Sequence, residues 1–174
     1  QPLPLETVIA LHGAYRPDKL ALVNVETRLT YAGFHRAINR LANALLANGI
    51  GKGDKVATVL PNCLELITLY WAITRIGAVI VPMSPLLQPN GMIGLLRDSD
   101  ARMVFLTAAA ATGVAHRAKE LPTIRKHDII LADGSVAGPS RTYFEFLAEH
   151  PSDDPPHVDL SDGDLFNIVY SSGT

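Results

Sequence analysis

The residues best suited to chemistry stand at the end of the chain, after the apolar run 165–170. They are Ser171, Ser172, Gly173 and Thr174. Hydroxyl groups can donate to phosphate oxygens, and glycine lets backbone N–H groups approach without a Cβ in the way. Charge-assisted hydrogen bonds contribute roughly 1.5–3 kcal/mol each, so a few suffice to place a polyphosphate. We predict a phosphate-binding loop here; the alternative is a turn that only ends a strand.

The bulk composition is that of a packed globular protein. The chain has 174 residues, a length that suits one domain, with 48% hydrophobic and 18% charged residues. A formal net charge of −2 gives no electrostatic case for a nucleic-acid partner. Cys63 is the single cysteine, which excludes an internal disulfide. It stands in an apolar helical pattern, so we predict a buried, unreactive thiol.

Other nucleotide and metal motifs are incomplete. Gly49, Gly51 and Gly53 invite a dinucleotide-binding interpretation, but Asp54 replaces the third glycine of that fingerprint. The segment also leaves a helix to enter a strand, the reverse of the required order. The six histidines are scattered without the spacing of a zinc site. We therefore predict neither a metal ligand nor a catalytic residue in this chain.

The first half of the sequence alternates strand and helix patterns. Residues 20–25 and 28–30 predict a hairpin, and Thr30 is placed to cap an amphipathic helix that runs to about residue 48 and ends at Gly49. The polar positions of that helix, Arg36, Asn39, Arg40 and Asn43, are expected on its solvent side.

Similar signals continue through the second half. Asn62 with Glu65 predicts the capped start of a helix over 63–76, which ends at Gly77. The remaining predictions are strands over 55–60, 78–81, 102–106, 128–131 and 165–170, and helices over 91–97, 108–121 and 143–149. The acidic, proline-rich residues 151–163 are predicted to form a solvated surface connection. Strands alternating with helices indicate an α/β fold: three layers, with a mainly parallel sheet flanked by helices and preceded by the hairpin.

Eight short blocks occur in a fixed order along nearly the whole chain. They are Ala21-Leu22-Val23, Arg28-Leu29-Thr30-Tyr31, Asn39-Arg40-Leu41-Ala42, Gly49, Lys52-Gly53-Asp54-Lys55-Val56, Leu60-Pro61-Asn62, residues 77–85 and Tyr170-Ser171-Ser172-Gly173-Thr174. In this order they closely resemble the N-terminal part of the AMP-forming adenylating superfamily, which includes acyl-CoA synthetases, luciferases and peptide-synthetase adenylation domains.

The resemblance implies a role for the last block. In the family, this block opens a loop that wraps the β- and γ-phosphates of ATP. Ser171, Ser172, Gly173 and Thr174 match its first half, and the second half, with its lysine, is expected beyond Thr174. Residues 1–174 are then part of the large N-terminal domain of a ligase, truncated inside the phosphate-binding loop. The adenine, acyl, magnesium and catalytic-lysine residues are expected later in the intact protein.

For the intact protein, the resemblance implies an AMP-forming acyl-CoA synthetase that uses ATP, Mg2+, coenzyme A and a carboxylic acid. The fragment alone is expected to be inactive. Two alternatives stay open: an amino-acid-activating domain of a peptide synthetase, and a non-catalytic interaction module. Residues 77–85 favour the acyl-CoA branch over the peptide-synthetase branch. Without a recognisable leader or membrane-spanning segment, the sequence favours a cytoplasmic location.

Overall fold

The computed structural model of the protein describes residues 5–24, 27–134 and 140–171. Its helices are α1 (Val8–Tyr15), α2 (Tyr31–Ala47), α3 (Leu64–Arg75), α4 (Pro89–Asp98), α5 (Ala108–Ala115) and α6 (Tyr143–Leu147). Its strands are β1 (Leu20–Val23), β2 (Arg28–Thr30), β3 (Lys55–Val59), β4 (Val79–Met83), β5 (Met103–Leu106), β6 (Ile129–Leu131) and β7 (Arg141–Thr142). Short 3-10 turns occupy Leu5–Thr7, Ala118–Glu120 and Lys126–Asp128.

Five of the described strands form a parallel sheet in the order β4-β3-β5-β6-β7, and β1 and β2 form a separate antiparallel hairpin. Successive strand residues point to opposite faces. Val56 and Ile80 therefore join the core beneath α2 and α3, and Ala57 and Val81 join the core beneath α4 and α5. We call the second cluster the α4-side core. The predicted three-layered α/β fold is confirmed.

The termini of α2 follow the sequence closely. The Thr30 hydroxyl accepts a hydrogen bond from the Gly33 backbone N–H at 3.2 Å, which satisfies one of the free donors of the first turn. Beyond the helix, Gly49 has a φ of +79°, in the left-handed region that glycine enters without a Cβ penalty. Gly77 has a φ of +70° after α3. The cap at Thr30 and both glycine stops are confirmed.

The start of α3 differs from the prediction. Cys63, not Asn62, is the N-cap, and its side chain makes no capping hydrogen bond. With the cap at residue 63, the third helical position is Leu66 and not Glu65. The predicted Asn62–Glu65 capping pair is therefore wrong by one residue.

The predicted helix over 108–121 is also wrong in its length. Helix α5 ends at Ala115, and a 3-10 turn follows over Ala118–Glu120. The Arg117 N–H already donates to the Val114 carbonyl, three residues back, so the tighter turn replaces the α-helical pattern. Helix α1 and the two-residue strand β7 were not predicted.

Candidate functional site

The run 165–170, predicted as a strand, is not a regular strand. It makes one parallel bridge, between Asn167 and Ile80 of the edge strand β4. The Ile80 N–H donates to Phe166 and the Ile168 N–H donates to the Ile80 carbonyl. The next donor on this edge of β4 would be residue 82, which is proline and has no N–H. Pairing therefore stops after one step, and the prediction of a strand is wrong. We call 165–171 the terminal run.

At its bridge, the terminal run is parallel to β4. It therefore heads from Asn167 towards the carboxyl ends of the sheet strands. Open α/β sheets bind their ligands at that edge. The direction of the run is thus the one that the proposed phosphate loop requires.

Tyr170 anchors the end of the run through its side chain. Its hydroxyl donates to Asp98 Oδ2 at 2.7 Å, and its ring packs with Ile168 against the α4-side core. Burial, and then the hydrogen bond to Asp98, raise the pKa of Tyr170 to about 12. The phenol is therefore protonated at neutral pH and available as a donor.

Ser171, the first of the four predicted phosphate-binding residues, follows this anchor directly and is exposed. The other three, Ser172, Gly173 and Thr174, lie outside the described residues. The structure therefore places one hydroxyl of the predicted loop.

Residues 151–164, which we call the strap, lead into the terminal run without regular secondary structure. Two amides of α2 hold its start. Asn39 Nδ2 lies 3.2 Å from the Ser152 carbonyl oxygen and 3.1 Å from Asp154 Oδ1, and it donates to both. Asn43 Nδ2 donates to the carbonyl oxygens of residues 151 and 153. Asn39 is buried, so its predicted solvent-facing position is wrong: the strap covers that side of α2.

Asp154 is the charged centre of the strap. Its Oδ1 lies 2.6 Å from Arg75 Nη2 and 3.3 Å from His35 Nε2. Burial lowers the pKa of His35, and the nearby Asp154 carboxylate partly opposes that effect. This charge-assisted contact holds the strap against α3. The predicted solvated connection is thus tied down by side chains.

The far end of the strap is held by Lys52. Its Nζ lies 2.8 Å from Asp164 Oδ2 and donates to the Asp159 carbonyl oxygen at 2.7 Å. The hydrogen bond from Lys52, followed by the one from the Ser161 backbone, lowers the pKa of Asp164. Since Asp164 immediately precedes residue 165, these contacts fix where the terminal run begins.

An apolar cavity of about 390 Å3 lies between the hairpin and α3. Its lining includes Leu22, Leu66, Ile67 and Tyr70, and it also contains the half-buried Cys63. Burial raises the pKa of the Cys63 thiol, so the thiolate that would act as a nucleophile is disfavoured. The cavity is therefore an apolar space in which the Cys63 thiol is not activated as a nucleophile.

Within residues 5–24, 27–134 and 140–171, no three His, Cys, Asp or Glu residues group as metal ligands would. No helix in those ranges is both long and apolar enough to span a bilayer.

The side chains that hold the strap and the terminal run were not predicted from the sequence. His35, Asn39 and Asn43 recur at four-residue intervals on α2 and thus share one side of the helix. That spacing was a signal that a polar segment packs there. No local signal linked Tyr170 to Asp98, because 72 residues separate them.

The described residues form an α/β protein whose parallel sheet is flanked by helices, and the segment leading to Ser171 runs towards the carboxyl ends of the strands. The family model for the AMP-binding enzyme matches residues 10–174. The chain therefore belongs to the AMP-binding enzyme family, as the ordered blocks of its sequence predicted.

Two curated relatives illustrate the range of the family. The chain is 36% identical over 152 residues to the long-chain-fatty-acid–CoA ligase FadD13 of Mycobacterium tuberculosis, covering 87% of this chain and 28% of the relative. It is 27% identical over 165 residues to a dimodular nonribosomal peptide synthase of Bacillus subtilis, covering 92% of this chain and 6% of that protein. The chain thus spans less than a third of either relative.

A solved structure shows the same fold. The anthranilate CoA ligase AuaEII, in complex with anthranoyl-AMP, superposes with a TM-score of 0.91 at 22% identity. The match covers 99% of this chain and 33% of that chain. At this identity the likeness concerns the fold.

Proposed function

We propose that the chain is the N-terminal part of an AMP-forming acid–thiol ligase. The intact enzyme would convert a carboxylic acid and ATP into acyl-adenylate and pyrophosphate, and then transfer the acyl group to coenzyme A. The observation that carries the proposal is the anchored Tyr170, which precedes the exposed Ser171 hydroxyl in a run directed towards the carboxyl ends of the parallel strands. Similarity to a CoA ligase supports it.

The chemistry would proceed in two steps. In the first, a carboxylate oxygen forms a bond to the α-phosphorus of ATP, and the bond to the pyrophosphate oxygen breaks with its electron pair. In the second, a thiolate attacks the acyl carbon and AMP leaves. Carboxylates are poor acyl donors, and the adenylate supplies the leaving group. The Ser171 hydroxyl would donate to the polyphosphate, helping to orient it and to stabilise the charge that develops on pyrophosphate.

The described residues bear on the phosphate part of this proposal. A hydroxyl donor suits a phosphate oxygen, whereas Mg2+ is usually held by one or two carboxylates together with waters and substrate phosphates. No group of three or more potential ligands occurs in the described ranges. We therefore assign no step to the metal, and the Mg2+ expected from the family resemblance stays a prediction.

The acid specificity separates two candidates within the family. A peptide-synthetase adenylation domain would activate an amino acid, and the match to the dimodular peptide synthase keeps this candidate in view. The higher identity to a CoA ligase favours a non-amino acid. The predicted cytoplasmic location stays a prediction.

The test uses the complete protein encoded by the gene that contains this chain. It would be incubated with ATP, Mg2+ and a panel of fatty, aryl and amino acids, and acid-dependent pyrophosphate release would be measured with and without coenzyme A. We expect release with a fatty or aryl acid and thioester formation when coenzyme A is added. Release with amino acids alone would favour the peptide-synthetase candidate. No acid-dependent release with any class would overturn the proposal.

A fragment of residues 1–174 serves as the matched control. We expect it to release no pyrophosphate under the same conditions, because half of one binding loop cannot replace the adenine, acyl and lysine contacts. Activity of the fragment would contradict the proposed placement of those groups beyond Thr174.

A further inference from the structure

The terminal run has few contacts that could orient it. Apart from the bridge at Asn167, its backbone pairs with no strand over the described residues. Leu165 and Val169 are 64% and 65% exposed, so they do not hold the run against the sheet. Ile168 and Tyr170 pack against the α4-side core, and the Phe166 ring lies 6.4 Å, between centroids, from the ring of Tyr70 on α3.

Tyr170 provides the directional contact. Ile168 packs through apolar surface, which resists separation but does not fix an orientation. The Tyr170 hydroxyl meets Asp98 Oδ2 at 2.7 Å, within the range of a short O–H···O hydrogen bond to a charged acceptor. This hydrogen bond specifies where the ring, and the backbone attached to it, must lie.

The acceptor stands on a well-packed element. Asp98 is the last residue of α4, and this helix buries Met92, Ile93 and Leu96 in the α4-side core. A core packed at the density of an organic crystal does not shift easily. The Tyr170 ring is therefore fixed relative to the sheet, and so is Ser171, whose Cα follows at ~3.8 Å along the chain.

We propose that Tyr170 and Asp98 are positioning residues for the adenylation step, and that their hydrogen bond aligns Ser171 without contact to the substrate. The proposal rests on the proposed function. Loss of the hydrogen bond should impair the first step of the reaction and leave the second unchanged. Pyrophosphate leaves in the first step, which depends on Ser171, whereas thioester formation from acyl-adenylate involves neither the β- nor the γ-phosphate of ATP. Misalignment of a catalytic group by ~1 Å can cost about 100-fold in rate, so a single anchor can matter.

The experiment compares the two half-reactions in the complete protein. Adenylation is followed by exchange of labelled pyrophosphate into ATP, with the acid that gives the highest rate. Thioester formation is followed separately, from supplied acyl-adenylate and coenzyme A. The variants are Tyr170→Phe, which keeps the ring and removes the hydroxyl, Asp98→Asn, which keeps a weaker acceptor, and the double variant. Tyr15→Phe makes the same chemical change at a tyrosine that is 80% exposed.

We expect Tyr170→Phe to raise the KM for ATP in exchange about tenfold, the scale of one hydrogen bond to a charged group. Asp98→Asn should raise it about threefold, because a neutral acceptor is weaker. The double variant should be no worse than Tyr170→Phe, since one interaction is lost only once. The rate of thioester formation should stay within about twofold of wild type in all variants, as should both half-reactions of Tyr15→Phe.

Two results would overturn the positioning role. One is an unchanged KM for ATP in both single variants. The other is an equal loss in both half-reactions, which would assign the pair to general stability; Asp98→Asn decides this if Tyr170→Phe fails to fold. A wild-type protein that forms no adenylate from any acid fails earlier and differently. That result overturns the proposed function, and the positioning role with it.

Discussion

The strap and the terminal run are consecutive segments that both lack regular secondary structure, but they are held in different ways. In the strap, polar side chains of α2 and α3 reach out to carbonyl and carboxylate oxygens, as Asn39 and Arg75 do. In the terminal run, one backbone bridge, the packing of Phe166 and Ile168 and the hydrogen bond of Tyr170 hold the chain, while Leu165 and Val169 face solvent. The comparison shows that a segment without secondary structure can be held mainly by polar side chains of the neighbouring elements or mainly by its own side chains.

The largest effect is expected where the strap crosses a glycine. A Cβ at Gly77 would lie 2.6 Å from Leu160 Cδ2 and 3.1 Å from Lys52 Cγ, on backbone with a φ of +70°. Gly49 has a similar φ of +79° and nothing within 4 Å. We expect Gly77→Ala to lower the free energy of unfolding by about 2–3 kcal/mol and Gly49→Ala by about 1–2 kcal/mol.

Urea denaturation gives the loss of unfolding free energy in each variant. Both variants share the backbone penalty of a positive φ, so the difference between the two losses reports the contact of the strap with residue 77. Equal losses of unfolding free energy in the two variants would mean that Leu160 moves aside at no cost. The strap would then not restrict the side chain at residue 77.

The amide anchor of the strap should give the next largest effect. Asn39→Ala removes the donor to Ser152 and Asp154 from a buried position, and we expect a loss of about 1–2 kcal/mol. Arg40→Ala, at an exposed neighbouring position, should stay within about 0.5 kcal/mol. Limited proteolysis should cut the strap faster in Asn39→Ala alone. Similar cleavage in both variants would contradict the role of the amide.

A smaller effect is expected from the titration of His35. In the folded protein, burial lowers its pKa below the ordinary value of 6.5, against the opposing effect of Asp154 and with a further lowering by Arg75. The unfolded chain therefore binds more protons below pH 6.5, and stability falls as the pH drops from 6.5 to the lowered folded pKa.

Chemical denaturation at a series of pH values checks this. We expect His35→Gln to reduce the slope of the free energy of unfolding against pH below pH 6.5. Above pH 7.5, the free energy of unfolding should depend little on pH in both proteins. An unaltered slope would assign the acid sensitivity to the carboxylates instead.

The smallest effect is expected in the terminal run. The double variant Leu165→Ser/Val169→Ser changes side chains that are 64% and 65% exposed, so the free energy of unfolding of this chain should change by less than about 0.5 kcal/mol. Static light scattering should show less self-association, because an exposed apolar patch is reduced. A loss above 1 kcal/mol would show that these side chains are buried and would narrow the contrast with the strap.

The parts of the fold that the sequence predicted are governed by local chemistry. The hydroxyl of Thr30 and the glycines at 49 and 77 act within a few residues of their own position, so their types suffice to mark helix ends. The apolar strands predicted the sheet because both of its faces are covered.

The parts that failed depend on contacts between distant residues. Whether Asn39 faces solvent depends on a strap that arrives more than 110 residues later. The anchor at Tyr170 depends on the end of α4, and the extent of backbone pairing in the terminal run depends on where it meets β4. Of the four predicted phosphate-binding residues, Ser171 alone lies within the described chain, and the role of all four stays a prediction.

Pro82 gives the sheet a built-in stopping point. With a residue that has an N–H at that position, the terminal run could have continued to pair with β4. Strand pairing could then have extended towards Ser171. The missing donor releases the chain one step earlier. Because proline has no N–H, the backbone after residue 168 is not held by β4, and the contacts of the side chains set its direction.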